Sequence, residues 1–309
     1  MLDKNLKINL KKLKDMRYGE NPHQQSAFYV DGGGKPGFSQ FWGIELSHNN
    51  IGDANHAWKL VCDFEKPTVA IIKHANPSGI ASRTNLVEAF KLAHAADTVS
   101  AFGGIIALNR EPTMEMIEAM RGMFFELIVA PGYFTEVLER LKKRSVKMRV
   151  VAADKPPKLL EFTRAFNGYL VQTVDEIDES KLKWRVVSGE KPSASLYRDL
   201  EFAWKVCKHV KSNAIVIAKD EVMLGMGTGQ PNRVNSVNLA MKQAGNKTKG
   251  AVMASDAFFP FPDNVILASK AGISTIIQPG GSINDDKVIA EAKKRGIRMI
   301  FTGVRHFKH

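Results

Sequence analysis

Lys73 and His74 stand side by side at the end of the run Thr68–Lys73 (TVAIIK), and the segment continues through Asn76, Pro77 and Gly79 as IKHANPSG. A β-branched, apolar run of this length reads as a buried strand. In open α/β sheets, residues at a strand's carboxyl end face a ligand site. The pair sets a cation beside an imidazole whose ordinary pKa is close to neutrality. That combination can accept a proton while stabilising a developing negative charge. Taken alone, such a pair more often marks a polar strand end with a satisfied histidine.

Other segments carry weaker signals of the same kind. Leu224–Gln230 (LGMGTGQ) is glycine-rich enough for backbone N–H groups to approach an anion. It matches neither GxGxxG nor a P-loop, since no GK[ST] follows, and it reads alone as a tight turn between strand and helix. Ser255–Asp263 (SDAFFPFPD) packs three Phe and two Pro between carboxylates, which predicts a rigid loop whose rings could lie on a flat heterocycle. Gln278–Ser282 (QPGGS) reads as a turn after a strand. Gly303–His309 (GVRHFKH) reads as a basic tail of the solvated kind. HExxH, GxSxG, and HxE with PCxxC do not occur in the sequence, so neither metallohydrolase nor serine hydrolase chemistry has support in it.

The elements that must position these residues alternate in type. Strand-like runs at Thr68–Lys73, Ile128–Ala130, Ala214–Ala218, Ser274–Ile277 and Met299–Phe301 are separated by helix-like segments at Asn85–Ala96, Arg198–His209, Val234–Gln243 and Lys287–Arg295. Continuous apolar strands between helices predict an α/β fold with a covered sheet. The polar stretch Asp175–Lys183 and the punctuation at Ser188–Ser193 (SGEKPS) suggest a joint near residue 188, giving subdomains 1–187 and 188–309. No strict repeat is visible, yet each half offers a similar series of strands and glycine-rich turns.

Composition bounds the rest. The 309 residues are 44% hydrophobic and 25% charged, ordinary for a globular chain. No apolar run reaches membrane-spanning length. Cys62 and Cys207 form no CxxC, which argues against a disulfide framework and makes the cytoplasm the expected compartment. The formal net charge of +12 attracts polyanions, whether nucleic acid, phosphorylated small molecules or polycarboxylates. The local basic run Lys142, Lys143, Arg144, Lys147 and Arg149 contains no aromatic residue to stack on a base, and reads as a solvated face.

Taken in order, Arg17–Gln24 (RYGENPHQ), Ile72–Ala81, Ser100–Arg110 (SAFGGIIALNR), Ser212–Asp220 (SNAIVIAKD), Gly225–Val237 (GMGTGQPNRVNSV), Ser255–Asn264, Gln278–Ser282 and Gly303–His309 resemble the transformylase domain of the bifunctional purine enzyme. That enzyme formylates aminoimidazole carboxamide ribotide (AICAR) and then closes the ring. Ser78, Pro231 and Asn232 depart from the family's usual residues without removing a catalytic group. The resemblance implies a tandem duplication of cytidine-deaminase-like three-layer α/β/α units without the zinc site. It also implies a homodimer, and 10-formyltetrahydrofolate as co-substrate. Neither zinc nor nucleic acid nor membrane is expected as a partner, and potassium is admitted. Sixteen residues precede Arg17, where the bifunctional enzyme carries its cyclohydrolase domain, so ring closure is expected to fall to a separate IMP cyclohydrolase.

The resemblance carries roles onto named positions. Lys73, His74 and Asn213 become the catalytic set. AICAR contacts fall on Arg17, Tyr18, His74, Gly103, Glu126, Asn213, Phe258 and Arg305. Folate contacts fall on Arg233, Val234, Asp263, Ser282 and Ile283. The rivals are a different formyl donor, a zinc deaminase suggested by the fold, and a basic, non-catalytic nucleotide or nucleic-acid binder.

Overall fold

A computed structural model describes residues 2–176 and 183–309, so most of the expected joint Asp175–Lys183 lies outside the described residues. The chain forms two compact units. Unit 1 comprises residues 1–78, 84–91 and 98–156, and unit 2 comprises 79–83, 92–97 and 157–309.

Unit 1 opens with the antiparallel hairpin β1 (Leu10–Met16) and β2 (Ser26–Asp31). Strand β3 (Phe38–Trp42), helix α1 (His48–Cys62) and strand β4 (Thr68–Lys73) follow. Strand β5 (Asn76–Ser82) and helix α2 (Leu86–Ala96) are divided between the units. Strand β6 (Ile105–Leu108), helix α3 (Met114–Ala119), strand β7 (Leu127–Ala130), helix α4 (Thr135–Arg144) and strand β8 (Arg149–Ala153) complete unit 1. Its sheet runs β3-β8-β7-β6-β4, with β6, β7 and β8 parallel and both outer pairings antiparallel.

Unit 2 carries the hairpin β9 (Leu160–Ala165) and β10 (Gly168–Thr173), then β11 (Arg185–Ser188), α5 (Ala194–Lys208), β12 (Ile215–Lys219), β13 (Val222–Gly227) and α6 (Arg233–Ala244). It continues with β14 (Val252–Ser255), α7 (Asp263–Lys270), β15 (Thr275–Gln278), α8 (Asp285–Lys294) and β16 (Arg298–Phe301). Its sheet runs β11-β16-β15-β14-β12-β13, with β14, β15 and β16 parallel. The central strands are buried along their length, as at Val69–Ile72, Leu127–Ala130 and Ile215–Ala218. Such strands read as unbroken apolar runs because helices cover them. The fold class is α/β, as the alternation of elements predicts.

The units share one plan: an outer strand, a helix, a hairpin, a helix, then parallel strands joined by helical crossovers. The match extends to single residues at a constant spacing. Ser47 caps α1 and Ser193 caps α5. Asp53, Trp58, Lys59, Lys73 and Gly79 fall opposite Asp199, Trp204, Lys205, Lys219 and Gly225. The two-residue hairpin loops also match. His74 and Ala75 have φ of 51° and 61°, and Asp220 and Glu221 both have 52°. Two successive positive φ values belong to the type I′ turn that joins twisted antiparallel strands, where Asn-Gly is the usual choice. Both loops are anchored alike. The Ala75 N–H donates to Asp53 Oδ1 at 2.8 Å, and the Glu221 N–H to Asp199 Oδ1 at 2.8 Å.

Leu224–Gln230, expected as a tight turn between strand and helix, begins inside a strand, since β13 runs to Gly227; β5 likewise carries Pro77 and Gly79 within a strand. Their glycines are there for packing. A Cβ on Gly225 would stand 2.2 Å from the Ala240 carbonyl of α6, and one on Gly227 2.0 Å from the Ser236 carbonyl. Gly227→Ala is therefore expected to lower unfolding free energy by about 1–3 kcal/mol. Gly52→Ala, in α1 with nothing within 4 Å of the new methyl, should be neutral or stabilising by about 0.5–1 kcal/mol. Denaturant titration of both variants checks the contrast.

Candidate active site

Unit 1 builds its part of the site from the β4 carboxyl end outward. Lys73 Nζ donates to the Phe102 carbonyl at 2.6 Å. His74 is exposed at the hairpin tip, its carbonyl accepting from Asn76 Nδ2 at 3.0 Å. The tip is held from below by Asp53 rather than by glycine. A left-handed non-glycine residue costs of the order of 1–3 kcal/mol, so the anchored turn is a place where conformation is over-determined.

Gly103 follows Phe102 with φ of 69°, and its N–H donates to the Phe124 carbonyl at 2.9 Å. The backbone then links Gly104 to Glu126, whose N–H donates to the Gly104 carbonyl at 3.0 Å. Glu126 accepts from Asn50 Nδ2 at 3.1 Å and stands 3.8 Å from Arg149. Burial lowers the pKa of Arg149, while the charges of Glu126 and Tyr18 oppose that shift. Arg17 lies 5.7 Å from the Tyr18 ring centroid and is exposed. The structure thus brings Arg17, Tyr18, Lys73, His74, Gly103 and Glu126 into one connected set within this unit. Arg149, read from sequence as part of a solvated basic run, belongs to it. So do Asn50 and Asp53, which no motif flagged.

In unit 2 the centre is a buried charge pair. Arg233 is 7% exposed and Asp256 wholly buried, and the guanidinium donates to the carboxylate and to Ser255 Oγ. The other carboxylate oxygen accepts from Ser212 Oγ. Arg233 also donates to Asn213 Oδ1 at 2.7 Å, while Asn213 Nδ2 donates to the Gln230 carbonyl at 2.8 Å. Arginine has only donors, so this contact fixes which end of the amide is oxygen. Among the described residues the second N–H of the Asn213 amide has no acceptor, so the side chain presents a donor. Arg233, expected among folate contacts, faces inward onto this network. Val234 lies beside it in the first turn of α6, its N–H capped by Asn232.

The remaining residues sit on adjoining turns. Phe258 is part-exposed in the loop before α7. Asp263 opens that helix, accepting from the Asn264 N–H at 2.8 Å. The loop is tied to the Gln278–Ser282 turn: the Phe259 N–H donates to Gln278 Oε1 at 3.0 Å, and Asn284 Nδ2 to the Pro260 carbonyl at 2.9 Å. Ser282 and a fully exposed Ile283 therefore stand on a turn fixed to the Phe258 loop. Arg305 is exposed over the Phe307 ring at 4.7 Å. The basic tail is anchored, with the His306 N–H on the Asp256 carbonyl at 2.9 Å and the Ser212 N–H on the Lys308 carbonyl at 2.9 Å.

Among the described residues no group of three or more His, Cys, Asp or Glu could hold a metal. No helix among them is long and apolar enough to cross a membrane.

Known proteins resemble this chain along nearly all of it. The bifunctional purine biosynthesis protein PurH of Bacillus cytotoxicus is 45% identical over 315 aligned residues, covering 98% of this chain and 61% of that protein. The protein of the same name from Bacillus thuringiensis is 46% identical with the same coverage. The chain thus spans 61% of the length of these curated relatives. Among solved structures, Acinetobacter baumannii RibD (form 2) aligns over 35% of this chain and 34% of that one at 20% identity and a TM-score of 0.25, too slight a likeness to argue from. The family model described as AICARFT/IMPCHase bienzyme matches residues 1–243. With four-fifths of its length matched by that model, the chain belongs to the AICARFT/IMPCHase bienzyme family.

Proposed function

We propose that this chain transfers the formyl group of 10-formyltetrahydrofolate to the 5-amino group of AICAR, as a cytoplasmic, homodimeric phosphoribosylaminoimidazolecarboxamide formyltransferase. The observation that carries the reading is the Lys73-His74 tip, exposed, over-determined by Asp53, and set in a chain that belongs to this family. The amine of AICAR is conjugated with its ring and is a weak nucleophile, so it must lose a proton as it attacks. His74 takes that proton. The new N–C bond forms, the formyl oxygen carries negative charge, and the bond to folate N10 breaks as N10 regains a proton. Lys73 stabilises the oxyanion. Asn213 acts as a donor, because its oxygen is held by Arg233.

Arg17 and Arg305 suit the ribotide phosphate, since a guanidinium fork matches its oxygens. Tyr18, Gly103, Glu126 and Phe258 complete the ribotide set. Val234, Asp263, Ser282 and Ile283 serve the folate, with Asp263 accepting from the pterin edge. The shared plan of strands and helices supports reading the two units as cytidine-deaminase-like repeats, although a joint at 187/188 falls inside β11, the outer strand of the second plan.

A spectroscopic assay with AICAR and 10-formyltetrahydrofolate tests the reading. Folate-dependent appearance of the formylated ribotide, with or without an added cyclohydrolase, is the expected result. Formylation only with another one-carbon donor would overturn the folate half, and no formylation with any donor would overturn the whole.

A further inference from the structure

Unit 1 contains a pocket of about 380 Å³ that none of the roles above uses. It lies within the range of about 300–1,000 Å³ usual for small-molecule sites. Arg121, Arg140, Lys143 and Arg144 line it together with Phe124 and Met148, and no carboxylate does. The four cations differ in what they already do. Arg144 donates to the Met120 and Met123 carbonyls, and Arg140 to Glu118 Oε1 at 2.6 Å. Burial, and then the like charge of Arg140, lower the pKa of Arg144. Arg121 and Lys143 are exposed; Arg121 feels the charge of Glu118 and Lys143 that of Glu139, but neither makes a side-chain hydrogen bond or close ion pair among the described residues. The nearby carboxylates Glu118 and Glu139 are already bonded to Arg140 and Lys142, so the four cations outnumber them and an anion placed in the concavity is attracted.

We propose that this pocket binds a phosphorylated small molecule of nucleotide size, with Arg121 and Lys143 as its anion contacts. A bare inorganic anion would leave most of the volume and the Phe124 and Met148 surfaces uncovered. An aromatic or sugar body beyond the phosphate covers them. The pocket also adjoins the Lys73 loop. The Phe124 carbonyl accepts from the Gly103 N–H, the Phe124 and Phe102 rings lie 5.5 Å apart, and the Phe102 carbonyl holds Lys73. Occupancy of the pocket is thereby placed one packed ring pair from the proposed chemistry.

Isothermal titration of the full chain with AMP, inorganic phosphate and a triglutamate peptide tests this. The variants are R121S/K143S, which alters exposed side chains and leaves Arg140 and Arg144 in place, and Arg17→Ser. The expected result is an AMP-binding component that survives Arg17→Ser, weakens at least tenfold in R121S/K143S, and exceeds phosphate in affinity at least tenfold. Equal AMP affinity in R121S/K143S overturns the proposal. So does loss of all AMP binding in Arg17→Ser, equal affinity for phosphate, or preference for triglutamate. None of these outcomes decides whether the wild-type chain formylates AICAR, which the formyltransferase assay settles separately.

Discussion

His74→Ala is expected to lower kcat for formyl transfer to AICAR by about a hundred- to ten-thousandfold, the usual contribution of a positioned general base. Lys73→Ala should cost about a hundred- to a thousandfold through loss of oxyanion stabilisation. Neither should unfold the protein. His74 is exposed, and the turn beneath it is held by the backbone bond from Ala75 to Asp53. Steady-state kinetics with circular dichroism of each variant checks the expectation. Near-normal kcat in both would remove the tip from the chemistry even if the substrates are right. Asp53→Ala makes a useful companion, because it keeps both side chains and releases only their support.

Asp256→Ala is expected to be the most destabilising of the substitutions considered, by about 3–5 kcal/mol, because it strands the buried Arg233 charge. Chemical denaturation measures the loss. Asp256→Asn keeps shape and removes charge, and its effect should appear in activity as well. The guanidinium then loses its strongest partner and holds Asn213 Oδ1 less firmly. A fall in kcat with little change in the KM for AICAR would mark Asp256 and Arg233 as positioning residues acting through Asn213. A wild-type kcat in a folded Asp256→Asn protein would sink that role.

Much of this was legible in the residues. Apolar runs such as TVAIIK and AIVIA announced β4 and β12, because strands covered on both faces leave no room for polar alternation. The Lys73-His74 pair was visible as a type of chemistry. What periodicity concealed was β5 and β13, whose proline and glycines mimic a turn. The close approach of α2 to Gly79 and of α6 to Gly225 and Gly227 accounts for the glycines. Arg233 was legible as a cation but not as a buried one, since its partner Asp256 lies far along the chain. Likewise Arg144 and Arg149 looked like part of a solvated run until Met120, Met123 and Glu126 were brought beside them by the fold. The basic tail was expected loose and is anchored, by backbone bonds to Ser212 and Asp256 that no side-chain pattern could announce.

The twin hairpins separate architecture from chemistry. In each, an aspartate from the preceding helix holds the second loop residue by its backbone N–H, so the side chains at the tip are relieved of the task of shaping it. A histidine and an alanine occupy one tip, an aspartate and a glutamate the other, on the same turn. Selection can therefore rewrite either tip one residue at a time without renegotiating the strands beneath. A chain that carries two copies of such a mount can keep one reactive and let the other drift.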